Sequence, residues 1–341
     1  MKLFNKKYII TLTTIALLAV GCSKKREYFS SNIPPADIKI FRFDSALLSL
    51  PYDSASIQNS LPALYDDFPY LMPVFAEDII GVDRSDTAWL SGALSHFITD
   101  TLYGFAETNK REQEIFADTK NIKKTLDLGF GRLRSLYPDI ILPDLYFIVS
   151  GFNASLFFLG DDIVLGADMY LGSDYPYYNK VVYNYQKKTM RPECIPADVL
   201  SVILFKNIPF TSDKSRLIDN MLYRGKIIYL LSNLLKEEKV WEVMGYTKEE
   251  WQWCERNERA IWRLMLDKQD LYKTETIILT SYLNDGPFTS EISQESPSKL
   301  GTWVGLRIIE QYMLNNKEVT LSELMAEGNS QKILELSQYK P

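Results

Sequence analysis

Leu145-Tyr146-Phe147-Ile148-Val149 is the stretch that decides the fold class of this chain. It is a continuous run of apolar, mostly β-branched and aromatic side chains, which predicts a buried β-strand. Shortly after it, residues 154–158 and 162–165 flank Leu159-Gly160-Asp161, a pattern typical of a β-hairpin. The sequence therefore predicts a small sheet near the middle of the chain.

On the N-terminal side of this sheet, one further strand and two helices are predicted. The stretch Asp37–Asp44 alternates apolar and polar residues, which predicts a half-buried strand. Residues 86–103 predict a helix with Ser85 or Asp86 as its N-cap. Residues 110–137 carry apolar side chains at helical spacing and predict one long amphipathic helix.

On the C-terminal side, nearly all of the chain is predicted to be helical. Thr247 with Glu250 three residues later forms a capping box, and Ser296-Pro297 is a favourable helix start. The predicted helices are 195–207, 215–235, one from Thr247, one from Ser296-Pro297 to about Asn316, and two short ones from Thr320 and Ser330. The expected fold class is therefore α+β: a small β-sheet followed by a mainly helical half.

The first 22 residues read as a lipoprotein signal. Lys2, Lys6 and Lys7 precede an apolar stretch of about 13 residues, well short of the roughly 20 that a spanning helix needs. Gly21-Cys22 ends it in a way similar to a bacterial lipobox, with Ala19 where that box usually has Leu. We expect cleavage before Cys22 and acylation of Cys22, palmitate included, with more than one chain because one holds only marginally. An ordinary signal peptide that ends near a cysteine is the alternative.

The charge balance excludes some partner classes. Without Lys2, Lys6 and Lys7, 35 of the 38 basic residues remain beside 44 acidic ones. A mildly acidic body argues against nucleic acid as a partner and against adhesion to anionic lipid. The anchor would therefore hold the protein on the membrane. Cys194 and Cys254 remain as a pair that an oxidising compartment would allow to bond, if their Cα atoms lie within about 7 Å, and this stays open.

We expect three segments: residues 1–21 as signal peptide, 22–36 as a tether, and 37–341 as a single domain. The tether is predicted because Ser23 to Pro35 is small, charged and proline-containing, with no apolar period. No linker inside residues 37–341 is long enough to predict two domains, and no internal repeat is present.

Several blocks resemble the GldB family of gliding-motility lipoproteins of Bacteroidetes. They occur in the family's order from residue 37 to the end: residues 38–44, 165–172, 215–226, 251–262 with Asn257-Glu258, Gly286-Pro287-Phe288, Ser296-Pro297 with Gly301-Thr302-Trp303, and 337–341. The resemblance implies a cell-envelope lipoprotein associated with gliding machinery and with the phylum's secretion system. It also implies an outer-membrane anchor facing the periplasm, since Lys24, Lys25 and Arg26 follow Ser23 where surface-exposed lipoproteins of the phylum resemble one another in having acidic residues.

The GldB family is in turn similar to predicted zinc peptidases that carry His-Glu-x-x-His on a helix after the sheet, so a degenerate zincin-like scaffold is implied. Here the corresponding helix is Asp198–Asn207, which has no histidine and one carboxylate. The acidic ligand of the next helix falls on Arg224-Gly225, where a cation would repel a divalent metal. Two histidines four residues apart are needed, and the chain has one in all, His96. We therefore expect no zinc, no other cofactor and no catalytic residue.

What the resemblance leaves is a remnant cleft between sheet and helices, for which Asn207, Asp219, Arg224 and Glu258 are the candidates. Arg224 is expected to pair with a carboxylate such as Glu258 and hold two helices together. The first interpretation is thus a non-enzymatic structural or assembly component that binds envelope proteins. The alternatives are a hydrolase with altered, metal-free chemistry, and a module that binds peptide or cell-wall fragments in the cleft.

Overall fold

The computed structural model describes residues 26–102 and 104–341. The predicted signal peptide of residues 1–21 and Cys22 lie outside the described residues. The architecture is α+β, which confirms the predicted fold class: a small mixed sheet in the first half is followed by a helical half. The similarity to a zinc-peptidase scaffold stays a prediction.

The sheet has four strands in the order β1-β2-β4-β3. Neighbours β1 and β2 are parallel, as are β2 and β4, while β3 and β4 form an antiparallel hairpin across Gly160-Asp161. Gly160 has φ +65°, which a glycine adopts without steric cost and a tight hairpin turn requires. The predicted buried strand and hairpin are confirmed. The strands are β1 Ile40–Arg42, β2 Leu145–Ile148, β3 Leu156–Leu159 and β4 Asp162–Gly166.

Six helices lie between β1 and β2. The N-cap of α4 is Asp86, whose side chain accepts a hydrogen bond from the backbone N–H of Trp89 at 2.9 Å, as predicted. A π-helical turn, Phe75–Ile80, follows α3. The helices are α1 Phe43–Leu48, α2 Ser54–Asp67, α3 Leu71–Val74, α4 Thr87–Thr99, α5 Phe105–Ile115 and α6 Lys120–Leu136.

Two predictions in this half need correction. The strand expected over residues 37–44 is only three residues long, because Phe43 and Asp44 are fully buried at the start of α1. The single helix expected over residues 110–137 is two helices, α5 and α6. Phe116 leaves the helical path to pack edge-to-face on Phe147, with ring centroids 5.3 Å apart, and the Asp118 carboxylate accepts from the backbone N–H of Lys120 where α6 begins.

The second half is helical apart from short connecting segments. Capping boxes at Thr247–Glu250 and Thr320–Glu323 open α11 and α14, and the first of them is a confirmed prediction. In the described part of the chain, no helix combines the length and apolar character needed to cross a membrane. The helices are α7 Tyr178–Val181, α8 Ile195–Asn207, α9 Leu217–Leu234, α10 Val240–Val243, α11 Lys248–Asp267, α12 Thr276–Leu283, α13 Leu300–Asn315, α14 Leu321–Ala326 and α15 Ser330–Ser337.

The helix predicted to start at Ser296-Pro297 begins later, at Leu300. Thr289 holds the preceding segment in an irregular conformation: its Oγ1 donates to the Pro297 carbonyl at 2.8 Å, and its N–H donates to Ser296 Oγ at 3.1 Å. Lys299 then occupies the N-cap of α13 with φ +59°, an uncommon conformation for a residue with a Cβ. The tertiary contact with Thr289 therefore displaces the helix start that the Ser-Pro pair favours.

The closest helix contact lies between α9 and α13. A Cβ added at Gly305 would lie 2.0 Å from the carbonyl oxygen of Met221, and one added at Gly225 would lie 2.4 Å from the carbonyl carbon of Gly305. No side chain fits at either position, so the two backbones touch. Both helices are mostly buried, which makes this crossing the centre of the helical half.

The described part of the predicted tether, residues 26–36, does not extend freely from the body. Phe29 is 4% exposed and Ala36 is 5% exposed, and both belong to the same apolar core as α6 and α9. The prediction of a tether over residues 22–36 is therefore wrong for this portion. The low apolar content of this segment gave no sign in the sequence that it packs on the body. One phenylalanine, one tyrosine and one isoleucine are enough to attach so short a segment.

Candidate functional site

The helix predicted to correspond to a zinc-binding helix is α8, and its one carboxylate is Asp198. The Tyr170 hydroxyl donates to Asp198 Oδ2 at 3.0 Å. Burial raises the pKa of the Asp198 carboxyl to about 6, against the opposing effect of this hydrogen bond and of the Lys299 charge. Asp198 is thus a weakly stabilised carboxylate between the sheet side and the helical half.

A cavity of about 310 Å³ opens beside Asp198, between α8, α9 and α13. On each helix the lining residues are three or four positions apart, so they lie on one face of that helix. Polar side chains from all three helices line it together with apolar ones: Asp198 and Ser201 from α8, Arg224 and Ile228 from α9, and Lys299 and Thr302 at the start of α13. A second cavity, of about 480 Å³, shares Asp198, Ser201 and Phe205 with it and reaches Tyr170 and Leu156, so the two form one cleft.

Arg224 lines this cleft but does not pair with Glu258. Its guanidinium donates to the carbonyl of Leu283, and Nη2 donates to Asn284 Oδ1 at 3.2 Å. Leu283 is the last residue of α12, and a cation is favourable at the negative end of a helix. Among the described residues no carboxylate forms an ion pair with Arg224, and burial lowers the pKa of its guanidinium. Arg224 therefore joins α9 to α12 through backbone polarity rather than through a salt bridge.

Glu258 lies elsewhere, on α11 against the end of the chain. Its Oε1 accepts from Arg307 Nε at 3.0 Å and from the Tyr339 hydroxyl at 2.8 Å. The carboxylate thereby links α11 to α13 and to the C-terminal residues. Glu258 has a structural partner set of its own and does not line the cleft that contains Arg224.

Asp219 and Asn207 also have local roles. Asp219 accepts from the backbone N–H of Arg216 at 3.0 Å and from Arg216 Nε at 2.8 Å, which caps α9 at its first turn. Asn207 ends α8, and its Nδ2 donates to the Ile203 carbonyl at 2.9 Å. Asn207 lines a separate cavity of about 320 Å³ next to Tyr137 and Ile140. The structure thus does not gather Asn207, Asp219, Arg224 and Glu258 into one site.

Lys299 and Thr302 line the cleft, as do Glu242 and Asp285, and none of the four was predicted from the sequence. Lys299 Nζ lies 3.3 Å from the Met244 carbonyl and 3.9 Å from Asp285 Oδ1, and burial lowers the pKa of this amine. Thr302 is 5% exposed, and its Oγ1 has no hydrogen-bond partner in the described part of the chain. The only sequence signal for Lys299 and Thr302 was their position inside the Ser296–Trp303 block, which shows no chemistry by itself.

The remaining ligand-type residues are dispersed. His96 is exposed on α4. Cys194 and Cys254 are both buried and unpaired, and Cys194 lines the cleft. Within residues 26–102 and 104–341, no group of three or more His, Cys, Asp or Glu side chains is arranged to hold a metal ion. The cleft therefore offers separate hydrogen-bonding groups: an amine, a guanidinium, an unpaired hydroxyl and the carboxylates of Asp198, Glu242 and Asp285.

Comparison with known proteins gives one match. The family described as "Gliding motility protein GldB" matches residues 23–341, nearly the whole chain. Nothing matches among the curated proteins or the solved structures. The match covers both the sheet and the helical half, and it includes the segment that lies on α6 and α9. The chain therefore belongs to the GldB family of gliding-motility lipoproteins.

Proposed function

We propose that this protein is a lipid-anchored, non-enzymatic component of the cell envelope that binds envelope proteins. Membership of the GldB family supports a role in gliding motility and the secretion machinery tied to it. The observation that carries the non-enzymatic part is the position of Arg224. Where the similar peptidases have an acidic zinc ligand, this side chain is used to hold α9 against the end of α12.

The rest of the cleft supports the same interpretation. Asp198 is the one carboxylate on α8, and it accepts a hydrogen bond from Tyr170. A hydrolase would need a nucleophile or an activated water next to a base. Ser201 lines the cleft, but the chain's one histidine is on the surface of α4. The groups present suit binding better than bond cleavage.

Metal and peptidase assays on the purified protein test this part. We expect less than stoichiometric zinc after dialysis and no cleavage of peptide substrates. A structural zinc site binds with roughly 10–16 kcal/mol and would survive purification. Zinc at one equivalent per chain, or peptide cleavage that a Ser201→Ala variant abolishes, would contradict the proposal.

Lipid anchoring is tested at Cys22. Cells that express the wild type and Cys22→Ala are grown with radioactive palmitate. We expect label in the wild type alone, and we expect the variant to be soluble in the periplasm or uncut. Equal label in both proteins would refute acylation at this position.

The outer-membrane location rests on the residues that follow Cys22, namely Ser23, Lys24, Lys25 and Arg26. We expect membrane fractionation to find the protein in the outer membrane. Protease added to intact cells should spare it and should digest it after the outer membrane is permeabilised. Digestion without permeabilisation would place the body on the cell surface instead.

The role in motility is tested by deletion and complementation in the source organism, with spreading on agar and secretion as readouts. We expect the wild-type gene to restore both activities and Cys22→Ala to restore neither, although its folded body is unchanged. Full restoration by Cys22→Ala would separate the function from the anchor.

The cleft gives a specific reason to keep one second candidate, a module that binds peptide or cell-wall fragments. Thr302 Oγ1 is buried without a partner and lines the 310 Å³ cavity beside Lys299 and Asp198. Peptide and muropeptide mixtures would raise the melting temperature of such a module by mass action. A shift that Thr302→Val removes and that the exposed control Thr276→Val keeps would support this candidate over the first.

A further inference from the structure

The segment of residues 26–36, which we term the N-terminal strap, begins at the C-terminal end of α9. Glu27 forms an ion pair with Lys236, two residues beyond α9, at 2.8 Å. The Tyr28 hydroxyl lies 2.8 Å from that of Tyr229, and the two rings meet edge-to-face at 6.1 Å. Phe29 is 4% exposed in the core behind them. Three successive residues therefore hold the start of the strap at one end of the body.

From there the strap runs along α6. The Ala36 N–H donates to the Asp127 carbonyl at 2.7 Å, and the Ile38 N–H donates to Asp127 Oδ1 at 3.0 Å. A Cβ added at Gly131 would lie 2.3 Å from the carbonyl oxygen of Pro34, so the strap backbone rests directly on the helix. These contacts attach the strap to the body at both of its ends, so its first residues have a defined place.

Three residues lie between Cys22 and Arg26, so four Cα–Cα steps join them. Four such steps span at most about 14 Å when the chain is fully extended. An acylated Cys22 lies at the headgroup level of a membrane, so Arg26 and the end of α9 beside it must lie within about this distance of the lipid surface.

We propose that the body is oriented on the membrane: the C-terminal end of α9, with residues 235–239 that connect it to α10, faces the phospholipid surface, and the start of α9 faces away. This rests on the proposed acylation of Cys22. The consequence for function is that the membrane covers this end of the body and leaves the remaining faces open to protein partners. A flexible tether would leave every face equally available.

The charges at this end of the body are mixed, so the strap rather than electrostatic attraction must orient it on the membrane. Lys236 and Lys239 are exposed there, but Glu237 is exposed between them and is paired with Arg132. Because the signs are mixed, electrostatic attraction to lipid contributes little. The orientation should therefore persist at high salt, in contrast to the binding of a basic patch.

The length of helix α9 sets the distance between the two labelled positions in the test. Its 18 residues span about 26 Å. Lys239 lies beyond its C-terminal end and Lys214 before its N-terminal end, and both are exposed. Single-label variants Lys239→Cys and Lys214→Cys of the full-length, acylated protein carry a donor dye, because Cys194 and Cys254 are buried. They are placed on vesicles of phosphatidylethanolamine and phosphatidylglycerol that contain headgroup-labelled acceptor lipid.

We expect the transfer efficiency at Lys239 to exceed that at Lys214 by about twofold, given a separation of about 26 Å along the helix, and to be insensitive to salt. Equal efficiencies in protein that floats with the vesicles would overturn the inference and leave the acylation intact. Failure to float would overturn the acylation itself, and the inference with it.

Two further variants test the strap. An insertion of about ten Gly and Ser residues after Lys25 lengthens the reach by a flexible coil and leaves the strap's contacts intact. Tyr28→Ala combined with Phe29→Ala removes the ring contact with Tyr229 and the core contact at the start of the strap. We expect both to reduce the difference between the two labels while flotation is unchanged. A difference that survives the insertion in full would show that some other surface, and not the short link, sets the orientation.

Discussion

Helices α9 and α13 are in direct backbone contact at one place and are separated by a cavity immediately beside it. At Gly225 and Gly305 the two backbones leave no room for a methyl group. Next to these glycines, Arg224 and Ile228 on α9 and Thr302 on α13 line a cavity of about 310 Å³. The same helix pair thus contains a direct backbone contact and, beside it, a cavity lined by polar side chains.

The close contact limits how far the two helices can approach each other to fill the cavity. The glycine contact already holds the helices at their minimum separation, and protein interiors of this kind are close-packed. Arg224 fixes the third side by joining α9 to the end of α12. This frame surrounds polar groups that mostly have hydrogen-bond partners, and among them the Thr302 hydroxyl has none in the described part of the chain.

The largest effect on folding stability is expected at the backbone contact between α9 and α13. Gly305→Ala places a methyl carbon 2.0 Å from the Met221 carbonyl oxygen, and the helices must separate. Overpacking of this kind usually costs 1–3 kcal/mol, and against backbone we expect about 3 kcal/mol or more in urea unfolding. The control is Gly92→Ala in α4, where a Cβ meets nothing within 4 Å and helix propensity should add up to about 1 kcal/mol. Equal stabilities for the two variants would show that the close contact is absent in solution.

Arg224→Ala is expected to cost less than a broken salt bridge would. It leaves the Leu283 carbonyl without its donor, and we expect a loss of about 1–3 kcal/mol in urea unfolding rather than the 3–5 that follow when a buried carboxylate is stranded. Arg224→Lys should recover only part, because an ammonium group cannot bond Leu283 and Asn284 in the same geometry. Arg263→Ala on the exposed face of α11 is the control, expected within about 0.5 kcal/mol of the wild type. A loss of stability no larger than that of the control would show that Arg224 does not hold α9 against the end of α12.

Asp198, which lines the cavity, should make the folding stability depend on pH. Its pKa in the folded state is about 6, above the ordinary 3.8, so the native state binds the additional proton between these values. Folding stability should therefore fall as the pH rises from about 4 to about 6 and stay flat above, by up to about 3 kcal/mol from this group.

Asp198→Asn should remove this fall and still accept the Tyr170 hydrogen bond. We expect the variant to be more stable than the wild type at pH 7.5 by about 1–3 kcal/mol, and equal to it near pH 4. Asp174→Asn, an exposed site outside the cleft, should change neither value. A variant that is less stable at pH 7.5 would mean that the interactions of the carboxylate with Tyr170 and Lys299 outweigh the cost of burying its charge.

The smallest effect concerns Thr302. Replacing an unpaired buried hydroxyl by a methyl should stabilise the protein, and Thr302→Val is expected to gain about 1 kcal/mol. The matched control is Thr108→Val, since Thr108 is equally buried but its hydroxyl donates to the Gly104 carbonyl at 2.9 Å, and there we expect a loss of about 1 kcal/mol. A loss at both positions would show that Thr302 has a partner in solution, such as bound water.

Local features of the sequence were sufficient for much of the fold. The buried strand at Leu145, the hairpin at Gly160 and the capping box at Thr247 were all predicted, because each depends on residues within a few positions of one another. The errors occurred where a distant contact overrides a local preference. The Ser296-Pro297 start is displaced by Thr289, and the helix expected over 110–137 is interrupted where Phe116 packs on Phe147.

Composition and short-range pattern were sufficient to predict the α+β class, the family through its ordered blocks, and the lack of two histidines for a zinc helix. Which polar groups meet could be seen only in three dimensions. Arg224 bonds a residue 59 positions away and Glu258 one 81 positions away. The strap joins α9 across about 200 residues of sequence, with 201 positions between Tyr28 and Tyr229. Such pairings depend on how helices pack in three dimensions, and hydrophobic periodicity carries no record of which polar side chains face one another across a cleft.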